Sequence, residues 1–411
     1  MSGFSGPGAR GCPPVVLPEE LAGLKVIDAD THYSEPHDLW TSRVPAKYQD
    51  LVPHIADNGS GGQCWRYNGD DLLFPYAGSA SVIRKDGTKS ALLDWDIQNG
   101  TMPIHEIHPA SYDPKARLAL MDDMGVWAHV IYPNVTGFGA HKLMAIDREL
   151  ALLILSIYND ACAEMQAESG GRLFPQALIP FWDMELALKE LDRIHNELKL
   201  RGITMSSEPH SAGLPDITDP HWEPLWDTCQ SYGLPVNFHV GSSEFGKEAF
   251  EKGTWPGLDK IRKHVVGCVL LEMHNARVLA NLLTSDLLVR FPRLKFVSVE
   301  SGIGWIPYVL ERLEYQLLET SLDGRVWEQP NPTELFHRQV YSCFWFEEAA
   351  PSRTLDYIGF DNVLFESDFP HPTCLYPSPV EHALKVLSPW GPEVQRKVMS
   401  TNAAGLYNIP I

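Results

Sequence analysis

Paired cysteine is missing from this chain. Its seven cysteines (Cys12, Cys64, Cys162, Cys229, Cys268, Cys343 and Cys374) are scattered, odd in number and never at CxxC spacing. That pattern excludes a thiolate metal site of the CxxC kind. It fits reduced thiols and a cytoplasmic setting rather than a disulfide framework. Positive charge is scarce as well: 33 Lys and Arg stand against 53 Asp and Glu, a formal net charge of −20. So acidic a chain is a poor partner for nucleic acid or an anionic membrane. No apolar run approaches the roughly 20 residues a membrane helix needs. Met1 to Pro14 is rich in Gly and Pro and lacks the apolar centre of a signal peptide, so residues 1–23 are expected to form a flexible leader. Low-complexity tracts, internal repeats, a Rossmann fingerprint, a Walker motif and a GxSxG elbow are all absent.

What the chain does have is a rhythm. With 411 residues and 44% hydrophobic composition it can bury a large core. Strand-like apolar runs at Leu24–Asp30, Ala128–Tyr132, Leu173–Ile179, Gly202–Ser206, Pro235–His239, Leu294–Val299, Val340–Phe344 and Val363–Glu366 alternate with helical patterns. Among the helices are Pro114–Met124, Val265–Val289 and Ile306–Thr320. Such alternation predicts a parallel α/β fold, and eight units predict a closed (β/α)8 TIM barrel over residues 24–411. Two helices near Val380–Leu387 and Glu393–Leu406 extend it. A long insertion, 33–111, follows the first strand. It carries Trp40, Trp65, Tyr67, Phe74, Tyr76 and Trp95, which either line a pocket or form a satellite core.

Barrels of this kind place their sites at the C-terminal ends of the strands. Four strand ends here break from apolar to polar in the same way. The first gives Asp30 and His32, two apart and so on one face. The fifth gives His239, the sixth Glu300, and the eighth runs Glu366-Ser367-Asp368-Phe369-Pro370-His371. A carboxylate-plus-imidazole set in one register is a candidate metal site.

The motifs Asp-Ala-Asp-Thr-His, Asn-Phe-His-Val-Gly, Val-Glu-Ser-Gly-Ile-Gly-Trp-Ile-Pro and Ser-Asp-Phe-Pro-His-Pro resemble the amidohydrolase superfamily. More closely they resemble its amidohydrolase 2 branch, which is related to aminocarboxymuconate semialdehyde decarboxylase. The resemblance implies a metal-dependent barrel. It also exposes two departures. The usual first-strand His-x-His begins here with Asp30, and the usual strand-six His of the decarboxylases is Glu300. The resulting set is Asp30, His32, His239, Glu300 and Asp368, two imidazoles and three carboxylates. It suits Fe or Mn better than a three-His zinc site, and its charge could balance two ions.

With those departures the chain is similar to the nonheme diiron monooxygenase branch of platensimycin and platencin biosynthesis. That similarity implies two Fe ions, O2, an external reductant and hydroxylation of a C–H bond in an apolar, diterpenoid-type acid linked to coenzyme A. Glu300 and Asp368 would be the catalytic carboxylates. Arg262 with Lys263, and Arg325, are candidates for an acyl-CoA tail. The alternative is a hydrolase or non-oxidative decarboxylase using one Zn or Mn, with Glu300 or Asp368 as general base. A homodimer is implied by the resemblance alone.

Other residues remain open. Glu208 is either a bridging carboxylate or a cap, and His210 is a weaker candidate. His371 either orients Asp368 or caps a turn. Asp28 reads as a buried hydrogen-bonding group. His264 and His274 read as structural. His105 and His108 sit in the insertion. Tyr132 and Asn134 are either substrate contacts or turn residues, and Gly302 and Gly304 allow a close backbone approach.

Overall fold

The computed structural model describes residues 15–91, 94, 102–243, 245, 248, 254–320 and 330–411. Trp95, Phe250 and Arg325, and most of the expected leader, lie outside that set. Residues 15–23 of that leader do not float free: Leu21 is buried, and Arg396 donates to the Glu20 carbonyl at 2.6 Å.

The barrel strands follow the apolar runs. They are β1 (Ile27–His32), β5 (Ala128–Tyr132), β6 (Leu173–Pro175), β7 (Ala177–Leu178), β8 (Ile203–Thr204), β9 (Val236–His239), β10 (Phe296–Val299), β11 (Val340–Phe344) and β12 (Val363–Phe365). All their ladders are parallel. β6 and β7 are one barrel strand broken at Gln176. Its N–H still reaches Ile131 on one side, while the next residue, Ala177, donates to Gly202 on the other. Closure comes just past β12, where Thr31 bridges Phe369. There His32 N donates to the Phe369 carbonyl at 2.7 Å and Asp368 N to the Asp30 carbonyl at 3.0 Å. The expected (β/α)8 barrel is what forms.

Local chemistry sets the helices. Asp113 accepts from Lys115 N and Ala116 N, Pro114 takes the first helical position, and Gly125 at φ +73° stops the helix Pro114–Met124. The long helix expected over Val265–Val289 is instead three pieces, Lys260–Glu272, Asn275–Thr284 and Leu287–Arg290. Its first break falls at His274, whose ring is engaged by Glu208. Inside the barrel, Ile27, Ala29, Val130, Val297 and Leu364 pack with Ala403, Leu406 and Tyr407 from the C-terminal helix. Tyr407 and Tyr132 both donate to Asn237 Oδ1, at 2.7 and 3.0 Å. Tyr132 therefore belongs to the barrel interior rather than to a turn.

The insertion carries a fold of its own, an antiparallel sheet of β2 (His54–Asp57), β3 (Gln63–Tyr67) and β4 (Asp71–Phe74). Its aromatics divide between the two expected roles. Trp40 and Trp65 are buried and meet edge-to-face with centroids 5.7 Å apart. Tyr67 and Phe74 line an open cleft.

Candidate metal centre

Each side chain of the centre is delivered by a strand end. β1 supplies Asp30 and His32, β9 supplies His239, the turn after β10 supplies Glu300, and the turn after β12 supplies Asp368 and His371. Glu300 and Asp368 are held at φ +51° and +61°, a left-handed conformation uncommon for residues other than glycine. Such strain persists where the surroundings over-determine it, often at functional sites.

The donor atoms converge. His239 Nε2 lies 3.2 Å from His32 Nε2, 3.1 Å from Glu300 Oε2 and 3.6 Å from Asp30 Oδ2. His32 Nε2 lies 3.6 Å from Asp30 Oδ1 and 3.5 Å from Asp368 Oδ1. Two overlapping sets, Asp30–His32–His239–Glu300 and His32–Glu300–Asp368–His371, each have their ligand atoms within 4.8 Å of one another. The two sets share His32 and Glu300.

So many donor atoms turned toward one point call for a cation or shared protons. His239 Nδ1 is 2.8 Å from the Val240 carbonyl, so it carries the proton and leaves Nε2 as an acceptor. Burial, and then the neighbouring His371 and His239, hold His32 well below the usual histidine range. His32 is then neutral, and its Nε2 faces the acceptor Nε2 of His239 and several carboxylate oxygens. Both oxygens of Asp30, and Oδ1 of Asp368, are buried without a hydrogen-bond donor. Burial above all, then Asp368 and Asp30, pushes the Glu300 carboxyl well above its ordinary range, and burial likewise raises Asp30. Orphaned acceptors of this number need a positive charge or protons. The residues fit a divalent ion.

The surroundings fix the donors. His371 stacks on His32 at 3.6 Å with rings 12° from parallel, and its Nδ1 is 3.1 Å from Asp368 Oδ1. Its Nε2 meets Asn134 Oδ1 at 2.8 Å, and Asn134 Nδ2 donates to the Tyr33 carbonyl. Asn134 is thereby a support for His371. Thr373 donates to Asp368 Oδ2 at 2.5 Å. Phe138 covers His239 with centroids 3.9 Å apart. The buried Arg117 donates to the His32 carbonyl at 2.6 Å. Glu366 Oε2 accepts from Glu300 N at 3.2 Å. Glu366 stood in the eighth-strand motif, but Phe138, Thr373 and Arg117 carry no sequence signal, because contacts made across the barrel bring them in.

Several other candidates lie elsewhere. Glu208 is bound by His274, by Ser243 at 2.8 Å and by Arg277 at 3.3 Å. Burial alone would raise its carboxyl, but His274, Ser243 and Arg277 outweigh that and hold it below the usual range. It is absent from both converging sets. His210 is exposed beside Asp216, His264 meets Cys268, His105 is exposed and His108 caps a turn. Asp28 accepts from Ser367 N and Asp30 N, and burial pushes its carboxyl up to about 8. Gly302 and Gly304 admit Glu347: a Cβ on Gly302, at φ +67°, would lie 3.0 Å from its carboxyl carbon. Glu347 in turn accepts from Ile303 N and Gly304 N at 3.0 and 2.7 Å. Arg262 pairs with Asp259 at the exposed start of its helix.

The sequence pattern of the family described as Amidohydrolase matches residues 146–409. A 2-amino-3-carboxymuconate-6-semialdehyde decarboxylase of Dictyostelium discoideum is 23% identical over 269 residues, 65% of this chain and 69% of that protein. A gamma-resorcylate decarboxylase of Rhizobium sp. (strain MTP-10005) is 24% identical over 307 residues, 71% of this chain and 86% of that protein. In solved structures, an amidohydrolase from Mycobacterium avium subsp. paratuberculosis K-10 superimposes with a TM-score of 0.71 at 23% identity, covering 94% of this chain and 99% of the other. A dihydroxybenzoic acid decarboxylase from Polaromonas sp. JS666, solved with bound manganese and the inhibitor 2-nitroresorcinol, gives 0.60 at 17% identity, covering 93% and 97%.

These likenesses overturn the monooxygenase expectation, since both curated relatives carry decarboxylase names. The geometry gives the physical reason for dropping two Fe ions. His239 Nε2 lies 3.1–3.6 Å from donor atoms of His32, Glu300 and Asp30, within the roughly 4.4 Å that ligands at about 2.0–2.2 Å from one ion can span. Two ions would stand about 3.5–4 Å apart and call for a bridging ligand, whereas Glu208, which the sequence left open as a bridge or a cap, is engaged by His274 and Ser243. With the oxygenase reading go O2, the external reductant and the acyl-CoA partner. No described helix is long and apolar enough to cross a membrane.

Proposed function

The chain belongs to the amidohydrolase family, and from that footing we propose that it is a non-oxidative decarboxylase of an aromatic carboxylic acid, dependent on one divalent ion. The observation that carries the reading is the buried cluster of mutually facing acceptors around His32 and His239. The decarboxylase relatives supply the reaction class. Asp30, His32, His239 and Glu300 would hold the ion. When bound, the ion would supply a fixed positive charge that grips the substrate's carboxylate.

The reaction breaks one C–C bond, releases CO2 and places a proton on the ring carbon left behind. The chain must therefore hold a proton next to that carbon. Asp368 is suited to this. Its Oδ1 lies 3.1 Å from His371 Nδ1, close enough for a proton to pass between the two groups, while Thr373 donates to Oδ2. Asn134 fixes which nitrogen of His371 carries the spare hydrogen. Phe138 shields His239 from solvent and keeps the field of the centre strong.

The test is elemental analysis of chain purified without chelator, followed by CO2 release from a panel of 2-hydroxybenzoic acids under argon. The expected result is about one divalent ion per chain and turnover without oxygen. No CO2 from any member, or turnover that stops under argon, would overturn the reading.

A further inference from the structure

The insertion after β1 builds a second compartment beside the centre. A cleft of about 590 Å³ runs outward from Asn134, Phe138 and Gly241. The first two of these touch His371 and His239. Its outer walls come from the insertion, through Tyr67, Leu73 and Phe74, and from Leu271. A benzene ring fits a cavity of about 150 Å³, so this space is several times what one ring fills. It lies instead among clefts of roughly 300–1,000 Å³ that hold larger ligands.

The wall is built to stay apolar. Lys142 is the one lysine among the lining residues, which among the described residues include no arginine. Its charge is directed into the wall: Nζ donates to the Leu73 carbonyl at 3.0 Å and sits 4.5 Å over the Phe74 ring. Its own carbonyl accepts from Tyr67 OH at 3.1 Å. Lys142 thus ties the insertion to the loop after β5. Beyond Leu271 the surroundings are acidic. Glu272 feels Glu347 and Asp368, and burial first, then those two, pushes it up to about 7. Among the described residues the lining offers His141 and the already engaged Lys142 as its basic side chains, and no carboxylate.

We propose that the cleft is a subsite for an apolar, ring-bearing extension of the substrate. The preferred acid is then larger than a single ring. The inference rests on the decarboxylase reading, which puts the reacting carboxyl at the centre. Phe74 and Leu73 set the size limit, and Lys142 is a positioning residue that holds their wall.

Calorimetric titration of the full chain loaded with Mn²⁺ compares salicylate with 1-hydroxy-2-naphthoate, which differ by one fused ring, and CO2 release is followed in parallel. The naphthoate is expected to bind at least about tenfold tighter, as one more buried ring allows. Phe74→Ala should shrink that ratio below about threefold. If it does not fold, as judged by its melting curve, Leu72→Asp carries the same expectation, because Leu72 is 58% exposed and tolerates charge. Equal affinities, no binding of either acid, or a tenfold ratio that survives the substitution would overturn the subsite. Preference for the naphthoate without CO2 release would uphold the subsite and remove the decarboxylase reading. Release of CO2 without preference would do the reverse.

Discussion

His32 and His239 turn their Nε2 atoms toward each other across 3.2 Å, and His239 is locked into that pose by its Nδ1 contact with the Val240 carbonyl. Two acceptors so placed repel unless a cation or proton lies between them. Replacing His239 with Ala removes one of the four donors of the inner set. The expected outcome is loss of more than about tenfold in ion affinity together with loss of turnover. Ion content after dialysis, read beside activity, checks this. A variant that keeps a full ion would sink the ligand assignment.

Asn134 acts one step further out. Its Oδ1 accepts from His371 Nε2 at 2.8 Å, so it sets the tautomer that faces Asp368. Asn134→Ala leaves the inner donors in place and frees the His371 ring. Partners of this kind are worth about 10–100-fold. We expect kcat to fall within that range while ion content stays near wild type. Equal loss of both would instead mark Asn134 as a structural support of the whole centre.

Glu347 offers a pH test away from the ligands. Burial pushes its carboxyl up to about 7, against the pull of the Ile303 and Gly304 N–H groups. A raised carboxyl binds more protons folded than unfolded between its ordinary range and pH 7, so its contribution to stability declines as pH rises through that window. Glu347→Gln cannot ionise. The difference in Tm, variant minus wild type, should therefore grow more positive from pH 5 to pH 8. A flat or falling difference would show that the N–H groups dominate.

How much of this was legible follows from where each signal lies. β5 and β11 match their apolar runs because buried parallel strands are continuous in sequence. The residues that converge at the candidate centre were legible for the same reason, since a polar residue at the end of such a run stands out. The extent of the insertion was legible too, but its sheet was not. Its strands, such as Asp71–Phe74, are four or five residues long, too short to show a clear alternation. Phe138 and Thr373 were invisible because their roles come from ring stacking and a hydrogen bond in folded space.

The insertion's own core gives a stability prediction. Trp65 is fully buried, stacks edge-on against Trp40 and donates Nε1–H to the Ala77 carbonyl at 3.2 Å. Trp65→Ala leaves a cavity and takes one of two donors from the Ala77 carbonyl, which keeps His37, a loss of about 3–5 kcal/mol. Chemical denaturation should show it as a lower midpoint. An early separate transition would mean that the insertion unfolds apart from the barrel.

Removing the ion should matter most at high pH. Without it, Asp30 and Glu300 are buried beside other acceptors, and burial raises both carboxyls. The folded, ion-free chain then holds protons that the unfolded chain has already released, so its stability falls as pH rises above the ordinary carboxylate range. Ion binding needs the ligands deprotonated and so strengthens over the same interval. At a free ion concentration a thousand times Kd, binding alone stabilises the fold by about 4 kcal/mol. The two effects act in one direction. The gap in Tm between ion-loaded and chelated protein should be small near pH 5 and widen toward pH 8. Thermal melts of both forms across that range decide the matter: a gap that narrows with rising pH would mean that these carboxylates are not the groups that hold the ion.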